Sequence, residues 1–433
     1  MTHLPTPDEG TVRSDQEERV RPAAAERLRI LTITTSYPNP REPGHSLFVR
    51  ARLQHMAEHA DLKVVAPVPV LDYSNPRRRL FDSFKVDARR WDEGIEVFHP
   101  RWLFPPLGTP WNIPCYLLGV AGPVRRLRRT YRFHVIDSHF GYPDGVAAVL
   151  LARRIGCPSV VTFRGNEMIH ARRRARLACM RRVLRLADRV ICVSEELRRF
   201  ALALGVQPQR TRTIPNGVDA EVFRPRDRAA ARAGWNVAPG EKVVLSAGSL
   251  SPGKGHHLVV QALHALGESG RRALFLLAGA ETRDGRYERE IRASVSELGM
   301  EGRVRFLGFL PPLELSQAMS GADVFCLASN AEGWPNVVHE ALACGTPVVA
   351  TGVGGVPDMI PSSRFGILVP PGDQAALERA LGQALDCTWD REAISRWGCS
   401  RTWNIVAREV IELMGEMLNE RRPEATLAPE DPA

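Results

Sequence analysis

Two successive runs of alternating strand and helix patterns constrain this chain more than any other feature. In the first run, residues 28–34 read as a buried strand, bounded by the turn-rich Ser36-Tyr37-Pro38-Asn39-Pro40. A helix over about 47–59 and a strand over 62–66 follow. Strands at 133–137, 159–163 and 189–193 then alternate with helices at 145–154, 171–186 and 195–203. After Ile214-Pro215-Asn216-Gly217-Val218-Asp219 a second run begins, with strands at 242–247, 273–278, 304–306, 324–327 and 347–351. Helices at 257–266, 286–298 and 313–319 separate them. Apolar strands divided by helices imply a parallel sheet covered on both faces. At 433 residues the chain also exceeds one ordinary core. The expected fold is therefore α/β, with two doubly wound, Rossmann-like domains over 28–215 and 216–400, joined near 215–240. Residues 72–132 break the rhythm with aromatics, prolines and arginines, and read as loops laid over the sheet ends. A last helix, 401–420, carries the stripe Ile405, Val406, Val410, Met414, Met417 and Leu418, and should pack back on the N-terminal domain. Residues 1–27 and 421–433 read as disordered tails. Ligands of such sheets bind beyond the carboxyl ends of the strands, so the two facing sets of loops should enclose a cleft.

Composition narrows the partners. The eight cysteines form no C-x-x-C pair and mostly sit in apolar company, which favours a reducing compartment and argues against zinc. No run of about 18 apolar residues exists to span a bilayer. The longest candidate, 113–124, holds Pro114 and Pro123 and suits either a buried helix or a segment dipping into an interface. The net charge of +9 is concentrated before residue 190, in Arg77-Arg78-Arg79, Arg89-Arg90, Arg125-Arg126, Arg128-Arg129 and Arg172-Arg173-Arg174. Such runs fit an anionic membrane, an acidic substrate, nucleic acid, or plain solvated helix faces.

The segment from Glu332 to Pro347, reading Glu-Gly-Trp-Pro-Asn-Val-Val-His-Glu-Ala-Leu-Ala-Cys-Gly-Thr-Pro, carries the chemistry. Pro335 suits the first position of a helix and Gly345 its left-handed end. The helix then presents free N–H groups and a positive dipole end beside Gly333 and Asn336, a place for a diphosphate. Glu332 lies before the helix and Glu340 inside it, so two carboxylates can accept hydroxyls on either side of that anion. A second loop, Gly248-Ser249-Leu250-Ser251-Pro252-Gly253-Lys254-Gly255, follows a strand, and Lys254 there can neutralise a departing phosphate. A third, Thr162-Phe163-Arg164-Gly165-Asn166-Glu167, ends a strand on the opposite wall, where Arg164 either reaches the cleft or pairs with Glu167. Asp144 reads as a helix N-cap, His139 as structural or acceptor-facing, and Asn216-Gly217-Val218-Asp219 as a turn or hinge.

In this order, over about residues 28–420, these segments resemble retaining GT-B glycosyltransferases of family 4, with their E-x7-E signature. The resemblance implies that Lys254 holds the donor phosphates, Glu332 the sugar and Glu340 the ribose. It places Asn336 and Gly333 at the diphosphate, Gly44 in a first loop near diphosphate and acceptor, and Gly308 and Leu310 at the nucleobase. The family usually has an arginine where this chain has Ser249 and a histidine where it has Arg164. Arg164 is expected to supply the missing charge, which makes Glu332, Lys254 and Arg164 the expected catalytic set. No cofactor and no metal are implied. The donor would be a UDP- or GDP-linked sugar, and the acceptor a glycan or polyprenyl-linked molecule. The setting would be the cytoplasm at the inner membrane face, with peripheral contact to anionic lipid, no nucleic acid, and exopolysaccharide or cell-surface glycan as the product. A catalytically silent GT-B binding protein and a nucleotide-sugar epimerase are the alternative readings.

Overall fold

A computed structural model describes residues 27–70, 82–104, 111–280 and 285–421. Its strands are β1 (Arg29–Ile33), β2 (Asp61–Val65), β3 (Val68–Pro69), β4 (Arg89–Asp92), β5 (Ile95–Phe98), β6 (Arg101–Trp102), β7 (Val135–His139) and β8 (Ser159–Phe163). They continue as β9 (Arg189–Cys192), β10 (Thr211–Thr213), β11 (Lys242–Ala247), β12 (Ala273–Ala278), β13 (Val304–Gly308), β14 (Val324–Leu327), β15 (Val348–Thr351) and β16 (Gly366–Val369). One sheet has the order β10-β9-β8-β7-β1-β2-β5-β4 and the other β13-β12-β11-β14-β15-β16. All pairings in both are parallel except the antiparallel β4–β5 pair. These are the two doubly wound sheets that the strand–helix alternation predicts.

The period-two alternation of side chains explains why both faces need cover. In β11, Val243, Leu245 and Ala247 enter one apolar layer while Val244 enters the other. In β12, Leu274, Leu276 and Ala278 join the first layer and Phe275 and Leu277 the second. Helix starts follow local side-chain chemistry. Ser194 accepts from the Leu197 amide, Asp373 from that of Ala376 and Asp390 from that of Ala393.

The region over 72–132 departs from its reading as loops. β4 and β5 extend the first sheet, and a helix runs over Asn112–Thr130 with Pro123 inside it. Its face Ile113, Tyr116, Val120, Val124 and Leu127 is buried, so the 113–124 segment packs one face of a helix into the core and leaves Leu118 on the other exposed. Its prolines and arginines masked a helical period that tertiary packing completes. The expected helix over 171–186 is three pieces, Asn166–Ala171, Arg174–Val183 and a 3-10 turn at Leu184–Leu186. The run Arg77-Arg78-Arg79 lies outside the described residues.

The helix Trp403–Glu420 buries Trp403, Val406, Val410, Leu413, Met414 and Met417 in a cluster with Val49, Leu53 and Met56 of the helix Leu47–Ala57. Each fully buried aliphatic side chain contributes about 1.5–3 kcal/mol before ordering costs. Arg189 pairs with Glu420 and Arg212 with Glu416 along its rim. The chain thus crosses between the two sheets twice, and the crossings run side by side: the Val218 amide donates to the Arg401 carbonyl at 3.0 Å.

Candidate active site

The helix Asn336–Ala343 starts directly after Pro335, one position later than the sequence suggests, and ends before Gly345 at φ +75°. On its N-terminal side, Gly333 lies so close to the other domain that a Cβ there would fall 1.8 Å from the Arg164 carbonyl oxygen. A Cβ on Gly165, at φ +124°, would fall 2.9 Å from the Gly333 Cα. Only glycine permits this approach of backbone to backbone. The loop after β8 therefore touches the loop before the helix, and the two walls of the cleft meet here.

Glu332 Oε1 accepts from Lys254 Nζ at 2.6 Å and from Ser329 Oγ at 2.7 Å. Lys254 lies in a 3-10 turn, Pro252–Lys254, that follows β11. The lysine and the first carboxylate are thus brought together, and in this state each neutralises the other. Ser249 makes only polar contacts of its own loop: its Oγ is 3.5 Å from that of Ser251, and its carbonyl is 3.3 Å from His256 Nε2.

Arg164 does not pair with Glu167 through its guanidinium. Glu167 is buried and accepts from the backbone amides of Gly141, Arg164 and Gly165. Instead Arg164 Nε donates to His139 Nδ1 at 2.9 Å and Nη1 to Asn216 Oδ1 at 2.8 Å, while the guanidinium lies 5.1 Å above the Phe48 ring. Asn216 Nδ2 in turn donates to Asn336 Oδ1 at 3.0 Å, so a line of hydrogen bonds joins the first domain to the first residue of the helix. At its far end His139 Nε2 donates to Asp137 Oδ2 at 3.1 Å, and Arg52 Nη2 is 3.7 Å from Asp137 Oδ1. Burial first, then the Arg164 charge, pushes His139 down to about 3, so the imidazole is neutral. Two buried guanidiniums, Arg52 and Arg164, thus lie near two buried carboxylates, Asp137 and Glu167, neither of which bonds the Arg164 guanidinium directly, and Arg164 Nη2 is buried without a hydrogen-bond partner among the described residues. A buried N–H left without an acceptor is costly.

Glu340 is half-buried, its carboxylate accepts no hydrogen bond from a described residue, and burial pushes it up to about 7. Gly308 ends β13 at the carboxyl edge of the second sheet, where its carbonyl accepts from the Gly279 amide at 2.7 Å. Leu310 beyond it is half-buried, and Gly44 is exposed with nothing within 4 Å of where a side chain would project. No contact ties these three to the Glu332–Lys254 pair. Asp144 is not a cap: buried, it accepts from the Thr35 amide at 2.6 Å, from Thr35 Oγ1 at 3.0 Å and from the Tyr116 hydroxyl, and burial raises it to about 6. His139 is structural, within the Arg164 network.

Sequence reasoning missed Asn216 as a bridge, Phe48 and Arg52. It also missed a second contact between domains, where Glu196 accepts from the Gly354 amide at 2.6 Å and Asp358 from the Glu195 amide at 3.1 Å. The acidic pair at the start of the helix Glu195–Ala203 was visible, but its partners lie about 160 residues away. Among the described residues, no group of three or more His, Cys, Asp or Glu is gathered to hold a metal ion. No helix among them is long and apolar enough to cross a membrane.

Comparisons with known proteins bear on the fold and the family. The family described as Glycosyltransferase Family 4 matches residues 83–222, and that described as Glycosyl transferases group 1 matches 227–398. A D-inositol 3-phosphate glycosyltransferase of Saccharomonospora viridis is 36% identical over 67% of this chain and 71% of its own length. The chain spans only 49% of the corresponding protein of Nocardia farcinica, at 34% identity over half of this chain. A protein of Bacillus subtilis named putative teichuronic acid biosynthesis glycosyltransferase TuaC is 27% identical over 82% of this chain and 88% of its own. The structure of Anabaena Alr3699/HepE in complex with UDP-glucose superposes with a TM-score of 0.67 at 20% identity, covering 90% of this chain and all of that one, a likeness of fold. With two facing parallel sheets, a cleft where their loops meet and a family match on each side of it, the chain belongs to the GT-B glycosyltransferases.

Proposed function

We propose that this chain is a retaining, metal-independent glycosyltransferase that moves a hexosyl sugar from a UDP- or GDP-linked donor to a glycan or polyprenyl-linked acceptor in cell-surface polysaccharide synthesis. The observation that carries this reading is the Lys254–Glu332 pair at the head of the helix Asn336–Ala343, held against Arg164 and Gly165 of the other domain. The second domain holds the donor and the first the acceptor. The diphosphate lies against the helix N-terminus at Gly333 and Asn336, with the sugar hydroxyls on Glu332 and the ribose on Glu340. On donor binding, Lys254 turns from Glu332 to the phosphates. As the bond from the anomeric carbon to the phosphate oxygen breaks, negative charge grows on the leaving diphosphate, where Lys254, the helix dipole and Arg164 stabilise it. The acceptor oxygen attacks the same face, and its proton passes to the departing phosphate oxygen. The complex of Alr3699/HepE with UDP-glucose and the name of TuaC support the donor and acceptor classes respectively. The inositol-phosphate relatives favour a second reading, with a phosphorylated polyol as acceptor.

The deciding experiment incubates the chain with UDP-, GDP- and ADP-sugars, a polyprenyl-linked glycan or D-inositol 3-phosphate, and excess EDTA. Transfer that keeps the anomeric configuration and survives the chelator is expected. An inverted product, isomerised donor without transfer, or activity lost to EDTA and restored by a divalent ion would each overturn part of the proposal.

Glu332→Gln should leave affinity for the free nucleoside diphosphate nearly unchanged while depressing turnover, because the carboxylate meets the sugar alone. Equal loss of affinity for nucleotide and for sugar donor, read by calorimetry, would contradict that role.

Membrane contact is proposed to be peripheral and electrostatic. Along the outer face of the helix Asn112–Thr130, Arg125, Arg126 and Arg129 are exposed, and Leu118 is 83% exposed. Each basic residue near an anionic surface contributes about 1 kcal/mol, and salt screens it. Co-sedimentation with phosphatidylserine vesicles should therefore vanish at high salt. Retention there would shift the cause to the exposed apolar residues Trp111 and Leu118.

A further inference from the structure

A cavity of about 100 Å³ on the second domain is lined by Arg226, Arg228 and Arg391, with Pro225, Ser320, Cys344 and the carboxylate-bearing Glu392. Cys344 follows the helix whose first residue, Asn336, faces the cleft. Eight residues at about 1.5 Å each separate the cavity from the donor end by about 12 Å along that axis. The cavity is not part of the cleft.

Part of the arginine chemistry has a structural explanation. Arg391 donates to the Ala322 and Ser320 carbonyls and to Thr346 Oγ1, and Arg226 Nη2 to the Glu221 and Val222 carbonyls, which closes the end of the helix Pro312–Gly321. Asp323 takes Arg228 and Arg232. That accounts for only some of the donors. Arg226 Nη1, Arg228 Nη1 and Arg391 Nε donate to no described residue. Asp323 pairs with Arg228 and Arg232, while Glu392, though it lines the cavity, is exposed and lies 3.7 Å from Arg396, so among the described residues no carboxylate forms an ion pair with Arg226 or Arg391. Burial, then the charge of Arg228, pulls Arg391 down to about 10. Convergent guanidinium forks with spare N–H groups, around a space the size of a few waters, match a tetrahedral oxyanion and leave no room for a nucleotide.

We propose that this cavity binds a small tetrahedral oxyanion, either free phosphate or the end of a phosphomonoester, at a site separate from the donor cleft. Arg226 and Arg228 lie between the first inter-domain crossing and β11, and Arg391 opens the helix that leads to the second. A bound anion fastens these two segments to each other.

The test is a calorimetric titration of the full chain, at constant ionic strength in chloride, with inorganic phosphate and separately with glycerol 3-phosphate. Lys254→Ala serves as background to weaken binding in the cleft, and the loss on adding Arg226→Gln or Arg228→Gln assigns the remaining binding to the cavity. Binding should persist in Lys254→Ala and weaken by about tenfold or more when Arg226→Gln or Arg228→Gln is added, the loss of one charged hydrogen bond. Phosphate should also raise the unfolding midpoint of Lys254→Ala by mass action. Arg228→Gln also removes one of the two arginine partners of Asp323, so Arg226→Gln decides if the former fails to fold. Tighter binding of glycerol 3-phosphate identifies a phosphomonoester, and the reverse order a free ion. No binding in Lys254→Ala, or unchanged affinity in folded Arg226→Gln, overturns the proposal.

Discussion

Arg164→Ala should lower turnover by about 10²-fold or more, the loss typical of removing one donor to a developing oxyanion. Three facts set the expectation. Ser249 offers a hydroxyl where the family usually has a cation, so in the proposed complex Lys254 and a helix end would meet the diphosphate on the second domain without that arginine. Arg164 is buried with Nη2 unmatched, and Asn216 carries its hydrogen bonds to Asn336 at the head of that helix. The nearby carboxylates are engaged elsewhere, Asp137 with His139 and near Arg52, and Glu167 with backbone amides, so neither bonds the Arg164 guanidinium directly. Introducing Ser249→Arg into Arg164→Ala should recover part of the lost rate, by supplying a cation from the opposite wall. Steady-state kinetics with thermal unfolding separates the outcomes. Alanine leaves His139 Nδ1 and Asn216 Oδ1 without a donor, at about 1–3 kcal/mol each, so some loss of stability accompanies any loss of rate. Wild-type turnover in a destabilised Arg164→Ala would make the arginine purely structural. A large loss that Ser249→Arg leaves untouched would keep Arg164 in the reaction and end the idea of compensation.

That network also marks how far the sequence could be read. The apolar strands at β1, β8, β11 and β12 were legible because a parallel strand covered on both faces must be apolar throughout, whatever packs on it. Pro335 and Gly345 bounded the central helix to within a residue through local backbone preferences alone. Arg164 was legible as a departure from a pattern, yet its partners His139, Asn216 and Phe48 come from three other segments, and no local rule links them. The helix Asn112–Thr130 failed for the opposite reason: Pro123 and a basic C-terminal half spoke against it, and burial of Tyr116, Val120 and Val124 prevailed. Asp144 looked like a cap from its place before a helix, but its hydrogen-bond donors are Thr35 and Tyr116. The Lys254–Glu332 ion pair shows a further limit, since sequence placed both residues at the donor and could not show that they satisfy one another without it.

Glu340→Gln should make the protein more stable at pH 8 and a poorer binder of its donor. The Glu340 carboxyl is raised from 4.5 to about 7 by burial, with no hydrogen bond from a described residue to hold the charge. A raised acid binds a proton more tightly folded than unfolded. Its contribution to folding is therefore neutral below pH 4.5 and grows more unfavourable as pH climbs to about 7, where it levels off. At 1.36 kcal/mol per unit, the cost above pH 7 is about 3 kcal/mol at most. Glutamine removes that dependence, so the difference in unfolding free energy between variant and wild type should widen from pH 5 to pH 7.5 and then stay flat. Binding runs the other way. If the carboxylate holds the ribose as proposed, it accepts hydroxyls more strongly ionised than protonated, so donor affinity in the wild type should fall as pH drops below 7, with proton release on binding near pH 6. Glutamine should lose about 1–3 kcal/mol of donor affinity at pH 8 and nearly all of this pH dependence. Chemical denaturation and calorimetry in buffers of different ionisation enthalpy measure both sides. A stability difference that does not change with pH would mean that Glu340 is ordinarily ionised in the folded chain. Unchanged donor affinity alongside the stability gain would remove the carboxylate from the ribose and leave its buried charge without a purpose in binding.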